Sequence, residues 1–213
     1  MHEENAKPLT LIRTGIQMKL IFATNNPHKV EEMQAAIGNE FELVSLREAG
    51  VDIDIPEPHD SLEANALEKS TTIFKLIQSD CFSDDTGLEV EALNGEPGVK
   101  SARYAGEGKN FEDNIDKLLL KLEVYINRRA RFRTVISLIW KGEKYLFEGV
   151  CEGYIEKSRH GSNGFGYDSV FIPDGSDKTF GEMSLEEKNS FSHRKKAVSQ
   201  LVSFLQQQAH IRQ

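Results

Sequence analysis

The stretch Met18-Lys19-Leu20-Ile21-Phe22-Ala23-Thr24-Asn25-Asn26-Pro27-His28-Lys29 decides the fold class of this chain. Lys19–Thr24 is a near-continuous apolar run, which is typical of a strand buried on both faces. Asn26 suits a helix N-cap and Pro27 the first helical position, and apolar residues at helical spacing follow as far as Gly38, a helix stop signal. A buried strand that leads directly into a helix predicts an α/β protein.

Strands and helices alternate along the rest of the chain. The patterns predict strands at Phe41–Leu46, Arg131–Trp140, Lys144–Tyr154 and Val170–Ile172. They predict helices at Ser61–Gln78, at Asn110–Leu122, after a capping box that begins at Ser184, and from near Ser192 onward. Lys141-Gly142 is expected to close a hairpin, whereas Asp52–His59 and Gly95–Gly108 are expected to be irregular. The interleaved order predicts an α/β fold with a mixed sheet.

Composition limits the classes of function. The 213 residues suffice for one good core or for two lobes around a cleft. A net charge of -8 argues against bulk nucleic-acid binding, and no apolar run approaches membrane-spanning length, so we expect neither nucleic acid nor membrane as a partner. Two cysteines form neither a disulfide framework nor a zinc site, which favours a reduced, cytoplasmic setting. Residues 1–17 lack the apolar core of a signal peptide; we expect an expression leader there, with the native chain starting near Met18.

An acidic pair lies in Ser83-Asp84-Asp85-Thr86-Gly87, which is predicted to be a small-residue turn between two short strands. Adjacent carboxylates repel one another and are tolerated where they are solvated, hydrogen-bonded or holding a cation. Mg²⁺ commonly takes one or two carboxylates together with substrate phosphates. Taken alone, this segment is more often a structural turn than a site.

Three further segments have the chemistry of a nucleotide site. Thr24–Lys29 places free backbone N–H groups and a lysine at a helix N-terminus, where phosphate binds, although an ordinary capped helix has the same pattern. Ser158–Asp168 combines glycines with two aromatic side chains on which a base could stack, or forms a plain surface loop. His193-Arg194 puts positive charge at a helix start, against the dipole, which indicates an anionic or polar ligand or else a solvated basic end.

Taken in order, these segments resemble the inosine/xanthosine triphosphate pyrophosphatase family from about Met18 to Leu205. The signatures are Ala23–Lys29, Asp84-Asp85-Thr86-Gly87-Leu88, Pro97-Gly98-Val99 with Ser101-Ala102-Arg103-Tyr104, Gly164-Phe165-Gly166-Tyr167-Asp168, and Lys188 with Ser192-His193-Arg194. The resemblance implies hydrolysis of ITP, dITP or XTP to the monophosphate and pyrophosphate. It also implies an elongated mixed sheet flanked by helices, with two lobes around a central cleft within residues 18–213, and a homodimer.

The resemblance also assigns roles to individual residues. Asp85 would be the proton acceptor and, with Glu57, would hold Mg²⁺. The triphosphate would lie against a set of polar and basic residues: Thr24, Asn25, Asn26, Pro27, His28, Lys29, Lys69 and Lys188, with Thr86 also touching substrate. Base and sugar would be held by Phe165, Gly166, Tyr167 and Asp168, and the 6-oxo edge of the base would be read by His193 and Arg194.

One position departs from the family pattern. Many members carry Glu immediately before the Asn of the Ser61 helix, whereas here Ala64 precedes Asn65 and Glu63 lies one place earlier. One residue rotates a helical side chain by roughly 100°, so Glu63 is not expected to substitute. Two other functions stay open at this point: a pyrophosphatase for another nucleotide class, and a catalytically silent purine-nucleotide sensor.

Overall fold

A seven-stranded mixed sheet forms the centre of the computed structural model, which describes residues 18–37, 41–108 and 110–210. The strands are β1 Met18–Phe22, β2 Phe41–Ser45, β3 Cys81–Val90, β4 Pro97–Gly98, β5 Arg129–Trp140, β6 Glu143–Ile155 and β7 Phe171–Pro173. Their order is β2-β1-β3-β5-β6-β7, with β4 paired to β3. β1 is parallel to β2 and β3, and the other pairings are antiparallel, so the predicted α/β fold with a mixed sheet is confirmed.

Five helices pack around this sheet in the described part of the chain: α1 Pro27–Ile37, α2 Leu62–Ile77, α3 Phe111–Leu122, α4 Leu185–Asn189 and α5 His193–His210. Their starts are set by local capping, as predicted. Asn26 Oδ1 accepts a hydrogen bond from the His28 N–H at 3.0 Å, and Ser61 Oγ accepts one from the Ala64 N–H at 3.2 Å. Ser184 and Glu187 form the predicted capping box. No helix among the described residues is long and apolar enough to span a bilayer.

Several predicted boundaries shift by one or two residues. β1 ends at Phe22 rather than Thr24, because the Thr24 N–H turns back to the Phe22 carbonyl at 2.7 Å. β7 begins at Phe171, since Val170 N–H bonds the Tyr167 carbonyl in a turn. The hairpin turn at Lys141-Gly142 is confirmed, with φ of 52° and 83°. The expected leader 1–17 and the helix stop at Gly38 lie outside the described residues.

The prediction of an acidic turn at residues 83–87 is wrong. β3 runs unbroken through it, with Asp84 opposite Ile136 and Asp85 opposite Val135 on β5. Asp, Thr and Gly favour turns locally, but ten consecutive pairings with β5 override that preference. Gly87 serves close packing rather than a turn, because a Cβ there would lie 2.6 Å from the Gly98 carbonyl oxygen of β4.

Side-chain alternation along β3 and β5 divides the core between the two faces of the sheet. Phe82 and Ile136 face one side, where they pack in a cluster with α1 and α5 side chains such as Met33 and Leu201. Their strand neighbours face the other side, where α2 covers them: Cys81 packs with Ile73, and Val135 with Leu62 and Ala66. A separate cluster around Phe171 and Phe180 lies toward the β6–β7 edge. The division of residues 18–213 into two lobes remains a prediction.

Candidate active site

A cavity of about 420 Å³ opens where β1 leaves the sheet. β1 pairs with β3 only as far as Phe82, and β4 pairs with β3 only from Leu88 onward. Residues 83–87 of β3 therefore have no strand partner on that side among the described strands. A crevice beyond the carboxyl end of a parallel strand is the usual position for a ligand in an α/β sheet.

The two aspartates of β3 project to opposite faces of the sheet, as alternation requires. Asp84 faces α1 and α5, and Asp85 faces α2, yet both line the cavity because the strand edge between them is open. This arrangement relieves the repulsion expected between adjacent carboxylates, since each one has its own lysine. The acidic pair is thus two separate ion pairs that meet at one opening.

Asp84 is held firmly in its ionised form. Lys29 Nζ donates to Asp84 Oδ1 at 2.9 Å, and Arg194 Nη2 lies 3.5 Å from Asp84 Oδ2. Burial opposes the charge, but Lys29, Arg194 and Lys69 together lower the pKa of Asp84 to about 2. We conclude that Asp84 is a fixed negative charge that orients two cations at the cavity.

Asp85 has a different environment. Lys69 Nζ contacts Asp85 Oδ1 at 3.1 Å and Glu57 Oε1 at 2.5 Å, so one ammonium group draws the two carboxylates together. Asp85 Oδ2 is buried without a hydrogen-bond partner among the described residues. Burial raises the pKa of Asp85 and outweighs the attraction of Lys69 and Lys29. A cavity-lining carboxylate with a raised pKa and an unpartnered oxygen has the properties of a general base.

The same two carboxylates fit a magnesium ion. No cluster of three or more His, Cys, Asp or Glu side chains suited to a metal occurs among the described residues. Mg²⁺, however, needs only one or two protein carboxylates when phosphates and waters complete its shell. Glu57 and Asp85 supply hard oxygen donors, and the unpartnered Asp85 Oδ2 is available for such a ligand.

The predicted phosphate segment lies at the mouth of the cavity. Thr24, Asn25, Asn26 and Lys29 line it, at the N-terminus of α1. The Asn26 N–H donates to Thr24 Oγ1 at 3.2 Å, which fixes the loop that leads into the helix. Pro27 and His28 do not line the cavity; the His28 ring instead stacks on Phe165 with centroids 5.2 Å apart.

The glycine-rich loop is closed by Asp168. Its Oδ2 accepts from the Phe165 N–H at 2.9 Å and from Lys188 Nζ at 2.6 Å. Gly164 has a φ of 74°, and a Cβ there would overlap the Asp168 carboxylate, so the loop requires glycine. Phe165, Gly166 and Tyr167 line the cavity, although the Tyr167 hydroxyl is committed to the Ser101 carbonyl at 2.9 Å. The structure thus presents a half-buried aromatic face to a ligand.

Lys188 lies at the Phe165 end of the cavity. Its ammonium group contacts Glu32 Oε1 at 2.5 Å as well as Asp168, and it lies 5.7 Å from the centroid of the Phe165 ring. The sequence prediction grouped Lys188 with Lys29 and Lys69 around the triphosphate. The structure instead pairs it with residues predicted to hold base and sugar, and not with Asp85 or Glu57.

His193 and Arg194 are buried, so they are not a solvated helix end; each is 2% exposed. His193 stacks on Phe132 with centroids 4.7 Å apart. Burial, reinforced by the nearby Arg194, lowers the pKa of His193 well below 6.5, so the ring is neutral at pH 7. Arg194 Nη2 donates to Thr86 Oγ1 at 3.2 Å. His193 Nδ1 and Arg194 Nε have no partner among the described residues, which leaves polar atoms for a ligand.

Sequence reasoning missed Glu32. This buried glutamate of α1 contacts both Lys188 and Arg194, and thereby connects α1 to α4 and α5. Its partners lie more than 150 residues away in sequence, so no local motif marks it. One signal was available: Glu32 lies four residues before Ala36 and one before Met33, on the buried side of the helix. A charge on a buried helix face needs a partner.

The side chain of Glu63 lies away from the cavity, as its position on the helix predicted. Arg133 Nη2 donates to Glu63 Oε1 at 2.5 Å, and Glu63 does not line the cavity. Asn65, two residues later, is buried and exchanges two hydrogen bonds with the backbone of His59. Glu63 therefore does not take the place of the missing carboxylate.

Basic, acidic and aromatic side chains that converge at the end of a parallel strand define a nucleotide-binding enzyme of the α/β class. The Ham1 family profile matches residues 20–204 of this chain. A dITP/XTP pyrophosphatase of Flavobacterium johnsoniae is 50% identical over 188 residues, which are 88% of this chain and 98% of the relative. A dITP/XTP pyrophosphatase of Porphyromonas gingivalis is 53% identical, over 88% of this chain and 97% of the relative.

Solved structures agree with this result. The Ham1 protein of Staphylococcus aureus is 40% identical and superposes with a TM-score of 0.81, covering 89% of this chain and 99% of that one. A nucleoside-triphosphatase, dITP/XTP pyrophosphatase, from Mycobacterium abscessus is 38% identical, with a TM-score of 0.71 over 86% of this chain and 98% of that one. The chain belongs to the Ham1 family, and the resemblance found in the sequence is confirmed.

Proposed function

We propose that this chain is a dITP/XTP pyrophosphatase, which hydrolyses ITP, dITP and XTP to the monophosphate and pyrophosphate and so removes non-standard purine nucleotides. The observation that carries the proposal is the convergence of Lys29, Lys69, Glu57, Asp85 and Phe165 on one cavity. The lysines suit a phosphate tail, the carboxylates suit a hydrolytic water, and the aromatic ring suits a base.

The phosphate tail would bind at the α1 end of the cavity. Asn26 caps the His28 and Lys29 N–H groups, so the predicted free donors at this helix start are already paired. The positive dipole end of α1 would attract phosphate oxygens there, and Lys29 and Lys69 would add positive charge. Asp85 would orient a water, and accept its proton, as that water attacks the α-phosphorus. Lys29 and Lys69 would then stabilise the negative charge of the departing pyrophosphate.

Magnesium is the cofactor that we propose, held by Glu57 and Asp85. When bound, Mg²⁺ neutralises charge on the phosphate oxygens and fixes their geometry. Lys69 Nζ contacts the same two carboxylates, so one of their two negative charges is already offset before any ion binds.

The base would be selected at the other end. Phe165 would stack on the purine, and the unpartnered Arg194 Nε–H, with the neutral His193, would meet its 6-oxo group. An oxo group accepts a hydrogen bond where an amino group donates one, so adenine would leave buried donors unpaired. Such a mismatch discriminates strongly against adenine. Guanine also carries a 6-oxo group, so its exclusion requires a contact at its 2-amino group instead.

We further propose that the enzyme acts as a homodimer in the cytoplasm. Four apolar side chains at the end of α3 and in the following turn are exposed, namely Leu120, Val124, Tyr125 and Ile126, with Ile126 fully so. A group of this kind supports an interface with a second copy. Sedimentation of wild type and Ile126→Glu tests the dimer, since we expect only the variant to sediment as a monomer.

Cys81 and Cys151 are both free and buried, which supports the proposed reducing compartment.

A nucleotide panel tests the activity. Pyrophosphate release is measured with ITP, dITP, XTP, GTP, ATP and dUTP, with Mg²⁺ and with excess chelator. We expect turnover of the first three, little of the others, and none without divalent metal. Equal turnover of ATP and ITP would contradict the proposed specificity, and binding of ITP without any turnover would make the chain a sensor instead.

A further inference from the structure

The segment Gly95–Gly108 lines the active-site cavity, although neither the predicted roles nor the proposed function uses it. Pro97-Gly98 is the short strand β4, and Ser101–Arg103 forms a single 3₁₀ turn. Val99, Ser101, Ala102 and Arg103 all border the cavity. The sequence pattern at residues 101–104 resembles the family, but no role was assigned to these residues.

Buried hydrogen bonds fix this segment in place. Ser101 Oγ accepts from the Leu88 N–H at 2.9 Å and donates to the Gly98 carbonyl at 2.6 Å. The buried Asn114 side chain donates to the Ala102 carbonyl at 3.1 Å and accepts from the Ala105 N–H at 2.6 Å. The backbone on both sides of Arg103 is therefore held, so its side chain projects from a rigid base.

Arg103 lacks the close partner that each other cavity cation has. Lys29 is 2.9 Å from Asp84, Lys69 is 2.5 Å from Glu57, and Lys188 is 2.5 Å from Glu32; the Arg194 guanidinium also contacts Glu32 directly. Arg103 Nη2 lies 3.5 Å from Glu57 Oε2, and its Nε lies 3.5 Å from the exposed Glu107. Charge-assisted hydrogen bonds are about 2.7–2.9 Å long, so both contacts are loose.

The position of Arg103 points to the ligand. Its loose contact is with Glu57, whose other oxygen is held by Lys69, so the guanidinium lies at the carboxylate end of the cavity. Its side chain is 27% exposed, which leaves it room to move. A guanidinium group matches phosphate oxygens with two parallel hydrogen bonds, which an ammonium group cannot form.

We propose that Arg103 is a further substrate-binding residue, which grips the phosphoryl groups that leave as pyrophosphate. This inference rests on the proposed function and adds an arginine to the lysines, Lys29 and Lys69, that would bind the phosphate tail. Arg103 exchanges its loose contact with Glu57 for bidentate hydrogen bonds to the tail. These hydrogen bonds distinguish a triphosphate from the monophosphate product, because the monophosphate has no group at that position.

Two variants, Arg103→Gln and Arg103→Lys, test the proposal. Their affinities for ITP, IMP and inorganic pyrophosphate are measured by calorimetry and compared with those of the wild type. A chelator is present so that hydrolysis does not interfere. We expect Arg103→Gln to weaken ITP and pyrophosphate binding about tenfold, the typical loss of a charged hydrogen bond, and to leave IMP binding unchanged. Arg103→Lys should recover part of the loss. Arg131→Gln is the matched control, since Arg131 forms an exposed ion pair with Glu89 outside the cavity and should change nothing.

Two outcomes would overturn the inference: unchanged ITP affinity in Arg103→Gln, or equal weakening of ITP and IMP, which would mean that Arg103 only shapes the pocket. Thermal unfolding of each variant verifies that it folds. If Arg103→Gln is destabilised, the affinities of Arg103→Lys for ITP and IMP decide the question instead. Turnover of ITP by the wild type is measured separately. If the wild type fails to turn over ITP, the proposed function fails; if only the predicted affinity pattern fails, Arg103 alone is excluded.

Discussion

Two neighbouring aspartates show how strand geometry separates chemical roles. Asp84 and Asp85 differ by one position, which sends their side chains to opposite faces of β3. Cations hold Asp84 ionised with a pKa of about 2, whereas burial raises the pKa of Asp85 and leaves one of its oxygens unpartnered. Two environments that push the pKa values apart support the proposal that Asp84 is a fixed charge and Asp85 is the base.

Replacing Asp85 by Asn tests the base. We expect pyrophosphate release from ITP to fall about 10²–10⁴-fold, the usual contribution of a general base. ITP binding in chelator should be retained, because the change removes a negative charge beside the phosphate tail. Asp174→Asn, which alters only an exposed pair with Arg129, is the control and should keep full activity. Near-wild-type turnover by Asp85→Asn would exclude Asp85 from this role.

Replacing Glu32 by Gln tests the buried charge that positions Arg194 and Lys188. Loss of the shared carboxylate leaves both cations underpaired, so we expect the free energy of unfolding to drop by about 3 kcal/mol. KM for ITP should rise because Arg194 is no longer held. Urea unfolding and steady-state kinetics give both quantities. The adjacent Glu31 is exposed, so Glu31→Gln is a matched control; equal effects of the two changes would contradict this role.

At the scale of elements, local signals predicted the helices well. The caps Asn26, Ser61, Asn110 and Ser184 act within three residues, so their sequence context contains the whole cause. β3 was missed at its centre because its pairing partners on β5 lie about 50 residues away. The roles of the site residues came from the family resemblance and stay predictions, although the structure brings most of these residues to one cavity. Glu32 was missed because long-range packing alone defines its partners.

Gly87→Ala tests whether close packing of β4 on β3 explains the glycine. The added Cβ would lie 2.6 Å from the Gly98 carbonyl oxygen, which forces the strands apart. We expect a loss of about 1–3 kcal/mol in the free energy of unfolding, as in other overpacked positions. Gly108→Ala is the control, because a Cβ there has nothing within 4 Å. If both variants unfold at the same urea concentration, the packing explanation is wrong.

For the whole molecule, one helix joins the two ends of the cavity. α1 provides the proposed phosphate end through its N-terminus and Lys29, and through Glu32 it contacts Lys188 and Arg194 at the proposed base end. α5 contributes His193 and Arg194 and packs on α1 across the same face of the sheet. The relative position of α1 and α5 would therefore set the distance between the proposed base and phosphate subsites.

The buried His193 makes stability depend on pH. Its folded pKa lies below the unfolded value of 6.5, so the unfolded state binds more protons and stability falls as pH drops below 6.5. Between pH 7.5 and 5.5 we expect the wild type to lose up to about 1.4 kcal/mol more than His193→Phe, which keeps a ring but cannot titrate. Urea unfolding at the two pH values measures this difference. Identical pH slopes would contradict a neutral, buried His193.

Hydrolysis in ¹⁸O-labelled water tests the central claim, that this cavity breaks the α–β bond of a 6-oxopurine triphosphate. ITP and ATP are incubated separately with the enzyme and Mg²⁺, and the products are identified by mass spectrometry. The account predicts ¹⁸O-labelled IMP with unlabelled pyrophosphate from ITP, and little product from ATP. IDP and phosphate as products, label in the pyrophosphate, or equal turnover of ATP would contradict it.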